Sequence, residues 1–482
     1  MQIKIVFIIA SQFCRSAFRN RAVLWLTVLL AMLLLMATFA GWQQYTSQTA
    51  TRTKYQQEVR EQWLGNPDKH PHRMAHYGYF AFRPKHPLSF FDFGMDSYTG
   101  VSVFLEAHKQ NTVNFSEASF STGLLRFGEI SIAMVLQLLV PLLTVFLGFN
   151  AVSFLRENGT LKIILSQGVS WQELILGNVL GVAGMGAVLY LPVMLVTLLF
   201  WTLLSGFGVG VDEVFRLAVL LLAYLVYLVI WAMIAVLVSA FSKTSKGSLT
   251  TLIGIWLLCT LVLPRATQAM GAYLHPAPSK MAFMAAIEAD LAREGDSHNP
   301  DDAHYKFIKD SLLQAHKVST VQELPFNYSG FIMAEGEKIS SGIYSRHQRA
   351  LLHTYQQQNS FNRLTAFINP YIAIKTLSMA LAGTDFTSYM DFQDAAEAFR
   401  YNLAQRMNEL QMEYISNAKQ GAKDKPYSID HSHWNALPDF SYAYKRGTSV
   451  VAQETISVLA LLFWLLLPLL LLFTITKRFK AL

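Results

Sequence analysis

The side chains best suited to metal or proton chemistry in this sequence are its 13 histidines, since imidazole titrates near neutral pH and ligates transition metals. Five of them gather in two tight clusters, His70-Pro71-His72 with His76 and His431-Ser432-His433. A metal site built from both needs two distant segments brought together. Against that, histidine is common in exposed polar loops, and neither cluster adds a cysteine or a close pair of carboxylates. The expectation is no resident metal, with His70, His72, His76, His431 and His433 as the candidate ligands if one binds. The sequence has no H-E-x-x-H zinc motif, no G-x-x-x-x-G-K-[ST] phosphate loop, and no serine-nucleophile, dinucleotide or calcium-loop signature. The chain is therefore expected to have no catalytic residues, to be no enzyme by itself, and to hold no cofactor of its own.

A second segment is informative for another reason. It runs Arg156-Glu157-Asn158-Gly159-Thr160-Leu161-Lys162-Ile163-Ile164-Leu165-Ser166-Gln167-Gly168-Val169-Ser170 and continues to Leu174. Gly159 can end a preceding helix. Thr160 can cap a short apolar helix over Leu161 to Leu165, which Gly168 ends. Ser170 with Glu173 makes a capping box that opens the next helix. The pattern predicts a short helix lying across the mouth between two spans, with an apolar face for a partner to cover. Any short loop between spans can hold such a helix, so pattern alone leaves the docking role open.

The elements that position these residues are mostly membrane helices. Of 482 residues, 52% are hydrophobic and only 15% charged, where a soluble chain carries about a quarter; the mean hydropathy is +0.30. Six stretches reach the roughly 20 apolar residues a span needs: 22–41, 130–154, 175–203, 214–241, 247–264 and 451–475. Only Arg216 and Glu454 bring charge into them, near span ends where they can snorkel to headgroups. The first stretch resembles a signal peptide, but its apolar run is long and some twenty residues precede it, so an uncleaved anchor is expected. With the N-terminus inside, residues 1–21, 155–174, 242–246 and 476–482 carry eleven Lys and Arg against two acidic residues, which the positive-inside rule favours. The high pI then reflects orientation and predicts no nucleic-acid partner.

Two loops, 42–129 and 265–450, face outward in this topology. From Phe392 the apolar positions Ala396, Phe399, Leu403, Met407, Leu410 and Tyr414 recur every three or four residues, with Glu397, Arg400 and Arg406 between them, an amphipathic helix. Met281 to Arg293 and Arg346 to Phe367 read as shorter helices, and 42–63 as a polar extension of the first span. The aromatic runs Tyr77-Gly78-Tyr79-Phe80 and Phe90-Phe91-Asp92-Phe93 read as core strands or as a sticky surface. Gly177, Gly181, Gly184 and Gly186 suit close helix packing or a dimer seam. Gln137, Asn150 and Asn178 either line a path or bond helix to helix. Both cysteines, Cys14 and Cys259, lie away from the outer loops, so that domain is held by packing. The expected fold is an all-α polytopic membrane protein: six transmembrane helices, an N-terminal interfacial helix and a mainly helical extracytoplasmic domain.

The segment around Glu157, Gly159-Thr160-Leu161, Leu165-Ser166 and Val169-Ser170 resembles the coupling loop of ABC-2 type transporter permease subunits. Residues 1–21 place Ile3, Val6, Phe7, Ala10, Phe13, Cys14, Ala17 and Phe18 on one face, like the elbow helix of that family. The outer inserts, with Asn369-Pro370, Leu377-Ser378 and Leu381-Ala382-Gly383-Thr384-Asp385, resemble the branch related to the permease of nitrous-oxide-reductase maturation. The resemblance implies a bacterial inner-membrane permease that pairs with a second copy or a paralogue and is driven by a separate ABC ATPase subunit holding ATP and Mg. In it, Arg156, Glu157, Gly159, Thr160, Leu161, Ile164, Leu165, Gly168 and Ser170 would form the ATPase contact. Two rivals stand beside export of a substrate: a mechanotransmitter that drives a periplasmic partner, and a membrane-anchored periplasmic metal-handling protein.

Overall fold

The structure is a computed structural model that describes residues 1–112, 130–205, 210–295, 297, 299, 301–418 and 425–475. The basic tail with Lys477, Arg478 and Lys480 lies outside the described residues. In chain order the helices of seven residues or more are α1 (Ile3–Arg19), α2 (Arg21–Leu64), α3 (Pro71–Tyr77), α4 (Ile132–Glu157), α5 (Thr160–Ser166), α6 (Trp171–Leu204), α7 (Val211–Phe241), α8 (Ser245–Leu274), α9 (Lys280–Glu294), α10 (Ala303–His316), α11 (Tyr328–Leu364), α12 (Pro370–Ala382), α13 (Phe386–Tyr414), α14 (Gly447–Gln453) and α15 (Thr455–Ile475). Six of them, α2, α4, α6, α7, α8 and α15, are long and apolar enough to cross a membrane.

Burial sorts the six spans. The most apolar windows of α4 and α7 are 67% and 61% buried, whereas the other four lie between 22% and 28%. The first two are therefore the centre of the bundle, and the rest present apolar faces outward. Along α7 the buried side is continuous, from Leu217 and Leu220 through Tyr224, Tyr227 and Trp231 to Val236. That helix packs against α4, α6, α8, α12 and α15.

Two of the spans contain a π turn, Val135–Leu139 in α4 and Leu258–Val262 in α8. A π turn disturbs the regular backbone ladder and exposes carbonyls that need other donors. Here side chains supply them. The Tyr227 hydroxyl donates to the Gln137 carbonyl at 2.9 Å, the Trp256 indole to the Leu138 carbonyl at 3.0 Å, and the Asn369 amide to the Cys259 carbonyl at 2.6 Å.

Outside the bundle a polar domain forms from both large loops. Strands β1 (Tyr79–Phe82) and β2 (Ser102–Leu105) pair antiparallel, Tyr79 opposite Leu105 and Phe82 opposite Ser102. The hairpin shares one core with the C-terminal end of α2, with α3 and with α13: Trp63, Met74, Tyr79, Leu105, Phe392, Met407 and Trp434 are all buried there. Of the two aromatic runs, the first is therefore a core strand in part. The second is buried without being a strand: Phe90 ends a 3-10 turn (Pro87–Phe90) at one end of the bundle, Phe91 and Phe93 follow it, and Phe91 meets the ring of Tyr224 at 5.3 Å.

Three expectations change. Arg346 to Phe367 is not a separate short helix: Arg346 to Leu364 is the second half of α11, whose 37 residues start at an Asn327 cap, and Thr365–Phe367 follow as a 3-10 turn. Its first half buries Ile332, Met333 and Ile343 together with Gly336, Glu337 and Ser340, so small and polar residues interrupt the hydrophobic period that announces a helix. Arg400, placed on the polar face of α13, is 2% exposed because it bonds into the seam with α11. Arg216 does not reach for headgroups: it is 1% exposed, bonded to Asp212 and to the carbonyls of Leu381 and Lys445.

Candidate functional site

The loop between α4 and α6 is clamped at its start by two neighbouring side chains. Arg156 donates to the carbonyls of Ser242 and, at 2.7 Å, Ala240, and lies 6.0 Å over the Trp171 ring. Glu157 accepts the Ser245 backbone N–H at 3.0 Å and its hydroxyl at 2.6 Å. Together they tie the end of α4 to the turn between α7 and α8. Gly159 and Gly168, with φ of +76° and +91°, bracket α5 in a backbone region that costs glycine least. The cap of α5 is not Thr160, which is its first residue: the Thr160 N–H donates to the Asn158 side chain at 3.0 Å.

On α5 itself the apolar side chains divide. Leu161 is 2% exposed and belongs to the core of the bundle, with Leu165 packed beside it. Ile164 is half-buried. Ile163, which sequence reasoning passed over, is 58% exposed, and Phe154 on the preceding turn is 53% exposed. Leu161 and Leu165 thus anchor the helix, and the accessible apolar face is carried by Ile163 and Phe154. Ser170 and Glu173 form their reciprocal capping box at 3.3 and 2.9 Å. Glu173 also accepts the backbone N–H of Gln2, which joins the start of α1 to the start of α6. From there α1 runs along α6 closely: a Cβ on Gly177 would meet Ile9 Cβ at 2.6 Å, and one on Gly181 would meet Phe13 Cβ at 2.7 Å. Those glycines serve packing within one chain.

At the opposite end of the bundle a buried polar chain links four segments. The Ser378 hydroxyl donates to Asp92 at 2.5 Å and lies 2.9 Å from the Tyr224 hydroxyl, which accepts the Gln137 amide at 2.7 Å. All four residues are buried. Burial pushes the Asp92 carboxyl above its ordinary value, although Ser378 and the Gly94 N–H oppose it. The chain joins the segment between α2 and α4, α12, α7 and the π turn of α4. Gln137 is thus a helix-to-helix bond, while Asn178 donates to the Leu174 carbonyl of its own helix at 2.8 Å. The sequence motif at 381–385 becomes local structure: Gly383 ends α12 and the Asp385 side chain caps α13.

The candidate histidines do not converge as one set. His70 caps α3 with its ring nitrogen. His431 pairs with Asp68 at 2.9 Å on the surface, and His433 lies against the Tyr414 ring. His72 and His76 face each other and a third ring, His108, at the end of β2. A groove of about 630 Å³ opens between the polar half of α2 and the hairpin, lined by Arg52, Tyr55, Val59, Phe80, Phe82 and Arg83.

Residues 280–443, from α9 to beyond α13, match the family described as a domain of unknown function (DUF3526). No curated protein matches the chain. The chain is a helical membrane protein carrying that domain.

Proposed function

We propose that this protein is the permease subunit of an ATP-driven transporter of the ABC-2 type. A separate ATPase subunit binds ATP and Mg and docks on α5, and its closure moves the spans to carry a substrate across a bacterial inner membrane. The observation that supports this best is the build of α5: buried by Leu161, bracketed by two glycines, clamped by Arg156 and Glu157, yet offering Ile163 and Phe154 outward. A mount of this kind passes a push on α5 into α4, α6 and the α7–α8 turn together. In this reading α5 is cytoplasmic, the polar domain is periplasmic, and the sparsely buried spans meet lipid and a second copy or a paralogue.

The test is co-purification of the full chain with its ATPase in nanodiscs. Ile163→Glu should abolish the association or the permease-dependent stimulation of ATP hydrolysis. Normal association and stimulation in that variant would overturn the reading.

A second reading, force transmission to a periplasmic partner without transport, is favoured by one observation. A cavity lined by Leu136, Tyr190, Tyr227 and Trp231 of α4, α6 and α7 holds only about 10 Å³, room for about one water. Reconstituted vesicles that hydrolyse ATP but accumulate no solute would favour it.

A further inference from the structure

We infer that His72, His76 and His108 form a binding site for a divalent transition-metal ion of the zinc class, in the polar domain and independent of any ATPase contact. The ligand atoms of the three residues lie within 4.8 Å of one another. His72 and His76 are one helical turn apart on α3, and their Nε2 atoms are 3.2 Å apart. Two imidazole nitrogens on a tetrahedral zinc, each at about 2.0–2.1 Å, are separated by about 3.3 Å. The pair therefore already holds the edge of a coordination tetrahedron. His108 brings the third ring to within 5.7 and 5.3 Å of the other two, centroid to centroid.

The backbone beneath the rings is fixed. Met74 and Ala75 between the α3 histidines are buried, as is Ala107 beside His108. His108 has a φ of +63°, an uncommon conformation for a side-chain-bearing residue. Glu337 maintains it by accepting the His108 N–H at 2.8 Å, and the same oxygen lies 3.3 Å from His108 Nδ1. A carboxylate on Nδ1 fixes the tautomer that leaves Nε2 to the metal, the arrangement that supports histidine ligands in zinc sites. Arg400 holds that carboxylate in place with a hydrogen bond of 2.6 Å. Three imidazole ligands make a site that takes a metal and leaves a fourth coordination position for one exchangeable ligand.

The experiment is titration of the full chain in detergent with Zn²⁺ against a chromophoric chelator, and with Co²⁺ read by its visible absorption. One equivalent should bind, with a cobalt spectrum of the tetrahedral type. His76→Ala and His108→Gly, the latter suited to the positive φ, should each weaken binding at least about tenfold, and Glu337→Gln about 10–100-fold. His431→Ala should leave binding unchanged. Absence of saturable binding, retention of affinity in both histidine variants, or an equal loss in His431→Ala would overturn the assignment. Unfolding temperatures measured on the same metal-free samples separate lost ligands from lost fold.

Discussion

Arg400 donates to Oε1 of Glu337 at 2.6 Å where α13 crosses α11, with 2% and 0% of the two side chains exposed. The same guanidinium forks onto Glu397 through Nε and Nη2, each at 2.8 Å. A charge taken that far from water is tolerable only while its partner is present.

Removing one partner should therefore cost far more than removing both. Arg400→Ala is expected to destabilise the protein by about 3–5 kcal/mol, whereas Arg400→Met combined with Glu337→Gln and Glu397→Gln, which leaves no buried charge, should cost clearly less. Thermal unfolding in one detergent, followed by tryptophan fluorescence, distinguishes the two outcomes.

Two buried carboxyls should respond to pH in opposite directions. Burial raises the pKa of Glu337, but the His108 and Arg400 hydrogen bonds and the Arg400 charge outweigh it and bring the group to about 2, below its ordinary 4.5. Its stabilisation is present above 4.5 and is lost as pH falls towards 2. Asp92 is shifted upward from 3.8, so its contribution is present below that value and is lost as pH rises through the raised pKa. Glu337→Gln should be less stable than wild type at neutral pH and equal to it in strong acid. Asp92→Asn should be at least as stable as wild type at neutral pH, with the difference vanishing by about pH 4. A pH series of unfolding temperatures shows both trends.

The division of labour on α5 gives a paired test. Leu161→Ala should cost about 2–5 kcal/mol, because it opens a cavity in the bundle. Ile163→Glu should change stability by no more than about 0.5 kcal/mol. The unfolding temperatures of the two purified variants, compared without any partner, check the assignment.

Close packing of α1 on α6 is readable through a thiol. Cys14 Sγ lies 3.5 Å from the Gly181 carbonyl, and burial raises its pKa. Gly181→Ala should overpack the seam by about 1–3 kcal/mol and speed maleimide labelling of Cys14. Gly254→Ala, where a new Cβ meets nothing within 4 Å, should not.

The long apolar runs and the period of α13 were legible because each is set by local composition and burial on one face. Such signals cannot say which distant groups meet. His72 and His76 were visible as candidates, but nothing near His108 marked it as their neighbour. Its partner Glu337 sits in a half-helix whose buried side interleaves Gly336 and Ser340 with Ile332, Met333 and Ile343, a stripe too broken to read from hydropathy. Arg400 looked like solvent-facing charge because sequence gives charge and not its surroundings. On α5, Leu161 and Ile163 are equally apolar, and only the packing of the bundle tells the anchor from the exposed face.

The first span does not stop at its apolar stretch: α2 continues unbroken for 44 residues into the polar domain. At about 1.5 Å per residue it is a rod about 66 Å long, so a tilt of about 10° at one end sweeps the other through about 11 Å. Trp63, near its far end, is wedged against Trp434 in the domain core, so the domain cannot stay behind. Any small rocking among the spans would thereby be geared up into a swing as wide as a helix at the domain.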